Sequence, residues 1–279
     1  MSKLLRANFL RLRKDKYFWI GILVMGLYGV IDSVGQYRNV KVYDMSVTFD
    51  SVFFASHIMM GMLIAAFCSL FVGTEYSDGT IRNKLMVGCN RRDIYLSNFI
   101  TCAAAGVFMN FAYMFTACIA GIPLFGFFEM EWQETVIYMV NGVLMIAAFA
   151  AIFTMLSMLN QNKALVAIIS MVGIFALLFL SMYITMKLGE PEFTDAVSMS
   201  ETVGDTVTQT IQRIPNPMCP SPSQRSIYQF LFDFLPTGQG IQISAGAVTH
   251  PGTIGIYSIV IAAAANMIGV FCFSRKDLK

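Results

Sequence analysis

Six apolar stretches, each long enough to cross a bilayer, constrain this chain more than any other feature. They run from Tyr17 to Val34, Ser51 to Gly73, Asn98 to Phe127, Thr135 to Ser157, Ala164 to Met186, and Thr253 to Phe273. A hydrocarbon core of about 30 Å takes about 20 helical residues. Backbone groups inside it must find partners within the protein, which such isolated runs achieve as helices. An all-α polytopic membrane protein with six spans is therefore expected, in a single membrane domain. Only 13% of the residues are charged and the mean hydropathy is +0.63. Soluble domains carry about 25% charged residues, so too little polar surface is left to face water all round.

The first apolar run follows a basic start, as in a secretory leader. It is longer than the apolar part of such leaders, and no A-x-A-like cleavage site follows, so it reads as a retained span. Ahead of it, residues 2–16 place Leu4, Leu5, Phe9 and Leu12 on one side of a helix and Lys3, Arg6, Arg13 and Lys14 opposite, with Leu10 breaking the pattern. Such a helix is expected to lie in the interface, its cations near anionic lipid. The third stretch is long enough to need a tilt or a break, and Pro123 offers the break. Small residues from Ala103 to Gly106 would admit a close neighbour.

Basic residues set the orientation. With the N-terminus in the cytoplasm, fourteen Lys and Arg fall inside and five outside (Arg38, Lys41, Lys187, Arg213 and Arg225). That bias obeys the positive-inside rule, so both termini are expected in the cytoplasm, with the chain in the plasma membrane. Residues 187–250 then form an extracytoplasmic segment. Its first half, to about Arg213, is expected to form surface helices. The proline-rich IPNPMCPSP that follows cannot be regular helix. Residues 226–248 hold Asp233, Pro236, glutamines and glycines, and read as a helix or broken helix pair, partly re-entrant and covered by protein. A seventh span there would carry Arg275, Lys276 and Lys279 outside.

Chemistry-bearing motifs are few. There is no phosphate-cradling G-x-x-x-x-G-K-[ST], no G-x-S-x-G elbow and no H-E-x-x-H helix. Six cysteines and two histidines show no metal-ligand spacing. No catalytic residue, metal site or nucleic-acid partner is expected, and no cofactor on this chain. Asp32, near the outer end of the first span, and His57, just inside the second, are ionisable groups at membrane depth. One reading puts them on an outward cavity in a cargo pathway. The other leaves Asp32 at the interface and His57 bonded to a neighbouring carbonyl. Asn110 and Asn141, mid-span, read as helix-packing hydrogen bonds.

The longest charged interruption among the first five stretches is 74–97, from TEYSDGTIRNKLMVG through CNRRDIYLS. Ser77 or Asp78 is placed to cap a helix from about Thr80 to Val87, and Gly88 to end it. Ile81 and Leu85 share one face of that helix and are expected to be a docking pair, with Arg82 and Lys84 pointing elsewhere. Arg91, Arg92 and a cap-like Asp93 restart a helix into the third span. A loop that merely satisfies the positive-inside rule would explain the arginines but neither Glu75 nor Asp78.

These residues also carry a resemblance. Glu75-Tyr76, Gly79-Thr80-Ile81, Leu85, Gly88 and Arg92-Asp93-Ile94 resemble the cytoplasmic signature of type 2 ATP-binding-cassette (ABC) exporter permeases, as does the ending FSRKDLK. Asn98 departs from it, since many members carry Lys there. The resemblance implies that Glu75, Gly79, Thr80, Ile81, Arg82, Lys84, Leu85, Gly88, Arg91 and Arg92 form a coupling segment on a separate ATPase. It further implies two ATPase copies that bind ATP and Mg, a second permease chain, identical or homologous, and export. Length and layout resemble the bacterial peptide-antibiotic immunity and export branch, so a peptide, drug or other amphipathic compound is the expected cargo. Two other classes stay open at this point: a non-transporting anchor whose outer segment binds a partner, and an ion-coupled carrier.

Overall fold

The computed structural model describes residues 1–203 and 206–276, with backbone alone over 195–212. Helix α1 (Ser2–Lys14) hands over to α2 (Lys16–Tyr43) at Asp15, whose carboxylate accepts the N–H groups of Tyr17 and Phe18 at 2.8 and 3.1 Å. An Asp in that position satisfies donors that the first turn of a helix cannot. Then come α3 (Phe49–Phe54) and α4 (Ser56–Ser77), one path interrupted at Ala55, and the short α5 (Thr80–Met86). Long helices α6 (Arg91–Phe125), α7 (Trp132–Leu159) and α8 (Lys163–Gly189) follow. A two-stranded hairpin, β1 (Phe193–Val203) and β2 (Thr206–Pro215), precedes α9 (Pro222–Phe234), α10 (Pro236–Ser244) and α11 (Pro251–Arg275). Among the described residues, six helical segments have the length and apolarity to cross a membrane: α2, α3 with α4, α6, α7, α8 and α11. The chain is a multi-pass, predominantly helical membrane protein.

Every crossing helix is longer than the apolar stretch that announced it, although α6 stops two residues short of Phe127. Hydropathy marks what lipid solvates, whereas a helix continues until its backbone is stopped. Helix α2 runs through polar residues to Tyr43 and ends where Asp44 adopts left-handed backbone, φ 53°. Pro123 does not break α6. It sits in the last turn, where a missing N–H forfeits one bond of a ladder about to end, and Gly126, φ 89°, closes the helix.

The surface helices expected between residue 187 and Arg213 are replaced by the hairpin. Its strands pair antiparallel from Phe193↔Pro215 to Val203↔Thr206, with an irregularity between Val197 and Ser200. Thr206, Val207, Thr208, Thr210 and Ile211 give β2 a density of β-branched residues that favours strand over helix. The proline-rich link is irregular, as expected, and Ser221 then opens α9 with a capping box to Gln224. The broken helix pair expected over 226–248 is present, jointed at Leu235–Pro236. Helix α10 is buried almost throughout, against α3, α4, α7, α8 and α9.

Helix α4 occupies the centre, touching α6, α7 and α8, while α2 lies along α6 and α11 along α7. At Gly106 a Cβ would stand 2.9 Å from Ile146 and 3.2 Å from Ile64, so the absent side chain lets α6 close on α7 and α4. Mid-span polar groups are paired across helices, with Ser56 donating to Asn110 at 2.7 Å and Asn141 to the Pro251 carbonyl at 2.8 Å. Such interhelical bonds hold spans together where apolar burial gives little drive.

Candidate functional site

Helix α5 crosses the face of the bundle that also carries α1, and both its ends are fixed by glycines. Gly79 takes left-handed backbone, φ 66°, and serves as the N-cap with no side-chain bond. The expected caps do not form; the Ser77 hydroxyl donates to the Gly73 carbonyl instead, at 3.2 Å. At the other end Gly88, φ 87°, donates to the Leu85 carbonyl at 2.9 Å and Cys89 to that of Lys84 at 3.0 Å. That crossed pair of bonds is the Schellman closure, which needs a residue at ease with positive φ.

Beneath α5 lies Glu75, on the last turn of α4 and 1% exposed. One carboxylate oxygen accepts from both Arg11 of α1 and Lys84 of α5. The other accepts the Asn98 amide of α6 at 2.8 Å. Asn8 of α1 completes the ring, donating to Asn98 at 2.8 Å and accepting from Lys84 at 3.1 Å. Arg11 also donates to Thr74 at 3.2 Å and to the Phe71 carbonyl, and lies 3.8 Å over the Phe71 ring. Four helices are thus tied to one buried carboxylate. Asn98, where many of the permeases it resembles carry Lys, here supplies an amide, and the cations come from α1 and α5. Asn8 and Arg11 are the residues that sequence reasoning missed. For Asn8 the signal was the spacing Leu4, Asn8, Leu12, which puts a polar side chain on the buried stripe of α1; Arg11 carried none.

The expected docking pair on α5 faces inward. Ile81 is 1% exposed within the core and Leu85 packs partly against it. What α5 presents outward is Arg82, Asn83, Met86 and Val87, the last two 77% and 83% exposed. Thr80 is half-buried at its start. Beside α5 a cleft of about 150 Å³ is lined by Glu75, Tyr76, Arg82 and Gln161, the last from the turn between α7 and α8.

Arg91 opens α6 and reaches the end of α11, donating to the carbonyls of Phe273 (3.1 Å) and Lys276. Lys276 in turn donates to the Tyr76 hydroxyl (3.3 Å) and the Met158 carbonyl (3.2 Å), and burial holds its ammonium below its ordinary pKa. Arg92 is exposed, and Asp93 does not cap but pairs with the N-terminal amine at 3.3 Å. Of the ending FSRKDLK, residues 277–279 lie outside the described residues.

Asp32 and His57 are not brought together by any bond. Asp32 accepts from Tyr113 at 2.9 Å. His57, 1% exposed, lies with Nδ1 2.8 Å from the Phe54 carbonyl, so that nitrogen carries the proton. Its Nε2 has no partner among the described residues and abuts Gly142. At the opposite end of the bundle Asp233, almost fully buried, accepts from Gln229 (2.8 Å), Gln242 (3.0 Å) and His250 (2.9 Å). These bonds knit α9, α10 and the start of α11 into one cap.

Among the described residues no three His, Cys, Asp or Glu side chains are grouped to hold a metal ion. A family model described as "ABC-2 family transporter protein" matches residues 4–177, from α1 into α8. No curated protein matches the chain.

Proposed function

The chain belongs to the ABC-2 family of transporter proteins and is a membrane component of such a transporter; from that premise we propose that it is the permease of an ATP-driven exporter. In this reading α5 is the coupling helix of the chain and docks on a separate ATPase, two copies of which bind ATP and Mg. A second permease chain, identical or homologous, completes the pathway. Thirteen of the eighteen basic residues among those described fall on the side of α1 and α5, which supports a cytoplasmic location for both termini. The cargo is a peptide or other amphipathic compound moved outward across a bacterial plasma membrane, leaving beside the capped end formed by α9 and α10.

The observation that carries the reading is the ring around Glu75. A force on α5 does not dissipate in a loop, because Lys84 and Ile81 anchor the helix to the base of α4, α1 and α6. Arg91 extends the same connection to α11. The docking surface is then the exposed Met86–Val87 tip with Arg82 and Asn83, whereas Ile81 and Leu85 transmit. Met86→Asp with Val87→Asp, both on exposed positions, should abolish co-purification of the co-expressed ATPase while leaving the permease in the membrane and its unfolding midpoint unchanged. Undiminished co-purification would sink the assignment.

A further inference from the structure

Where α1, α2 and α6 meet, the protein leaves an open groove of about 580 Å³ on its outer surface. Phe108, Phe111 and Phe115 recur along one face of α6, and Phe18 and Trp19 stand opposite on α2. Phe108, Phe111, Phe115 and Trp19 are each about half exposed or more. Helix α1 closes one end with Phe9 and Leu12 and brings a single cation to the rim, Arg13. The Trp19 indole N–H donates to the Arg13 carbonyl at 2.8 Å, which pins the ring there. Arg11 is spent inward on Glu75, but the Arg13 guanidinium has no hydrogen-bond or ion-pair partner among the described residues. The nearby Asp15 is turned away, capping α2.

We propose that this groove binds one anionic phospholipid of the leaflet on the α1 side. Its phosphate sits on Arg13 and an acyl chain lies against the α6 phenylalanines. The order along the helices matches: Arg13 lies just ahead of the first residue of the α2 span, while Phe108 to Phe115 fall within the α6 span. Tryptophan is the side chain that favours the boundary between headgroups and acyl chains. Charge selects the occupant. A second copy of this chain meeting the groove face to face would bring the same Arg13, with exposed Lys14 and Lys16 beside it, against like charge. A lipid anion brings the opposite charge and an apolar tail together.

The chain has two tryptophans, Trp19 and Trp132. Trp132→Phe, at an exposed position, leaves Trp19 as the reporter in the purified full chain. Phosphatidylglycerol and phosphatidylcholine with the same brominated acyl chains are titrated into the micelles, and bromine quenches any indole that it touches. Phosphatidylglycerol should reach half-maximal quenching at about fivefold lower mole fraction, the preference one cation near the headgroups confers. Arg13→Gln should remove the difference while both lipids still quench. Equal quenching before that substitution, a preference that survives it, or no quenching by either lipid would each overturn the proposal; the last would mean that protein covers the groove.

Discussion

Replacing Glu75 by Gln should be the most damaging single change on the α1 side of the bundle. Two cations share this carboxylate, so the cluster carries one net positive charge before the substitution and two after it. Removing one partner of a buried pair costs about 3–5 kcal/mol, mostly from the charge left without compensation. Arg11 and Lys84 keep 27% and 13% of their side chains exposed, enough to turn partly toward water. The cost therefore belongs at the low end, about 3 kcal/mol. Lys84→Met is the opposite case, since it leaves one cation on one carboxylate that Asn98 still supports. Its loss is the charge-assisted bonds to Glu75 and Asn8, together about 2 kcal/mol for a side chain still partly in water. Unfolding by SDS in mixed micelles, read from far-ultraviolet circular dichroism, measures both. If Glu75→Gln costs no more than Lys84→Met, the carboxylate is not the element that holds the four helices, and the account of coupling through it fails.

Two further outcomes follow from close contacts. A Cβ on Gly142 would stand 2.2 Å from His57 Nε2, so Gly142→Ala should cost about 1–3 kcal/mol by overpacking. The same change should cost under about 0.5 kcal/mol in a His57→Ala background, and an undiminished cost there would disprove the contact. Arg91→Gln removes a charged donor from the Phe273 and Lys276 carbonyls. Losing about 1.4 kcal/mol of local stability should speed amide exchange at the end of α11 about tenfold; unchanged exchange would show that Arg91 does not hold that end.

Much of this architecture is legible in hydropathy because a bilayer permits few alternatives. Six long apolar runs become six helical crossings, and Gly88 ends α5 where its backbone freedom is needed. What stayed hidden depends on which side of a helix meets protein. Ile81 and Leu85 mark an apolar face, and periodicity cannot say whether that face packs inward or awaits a partner; here it packs inward. Arg11 reads as one more interfacial cation until the fold places Glu75 beside it. Asp233, noted only as a residue too polar for a span, gains three donors from segments that meet in the folded chain alone. The hairpin went unread because the acidic and polar character of residues 187–213 masked the β-branched run in its second strand.

The uninterrupted course of α6 past Pro123 has a mechanical consequence. Thirty-five residues at 1.5 Å each make a rod about 52 Å long. Its base is gripped at Arg91 and Asn98, and its far end carries the loop whose Glu129 and Met130 amides bond to Asp50 at 2.9 and 3.4 Å. Pivoting such a lever by about 5° at the base sweeps its tip through roughly 4.5 Å, close to the width of an extended chain. A jointed helix would lose that amplification at the joint, whereas a continuous one can carry a small displacement at its base to a gap-sized stroke at its far end.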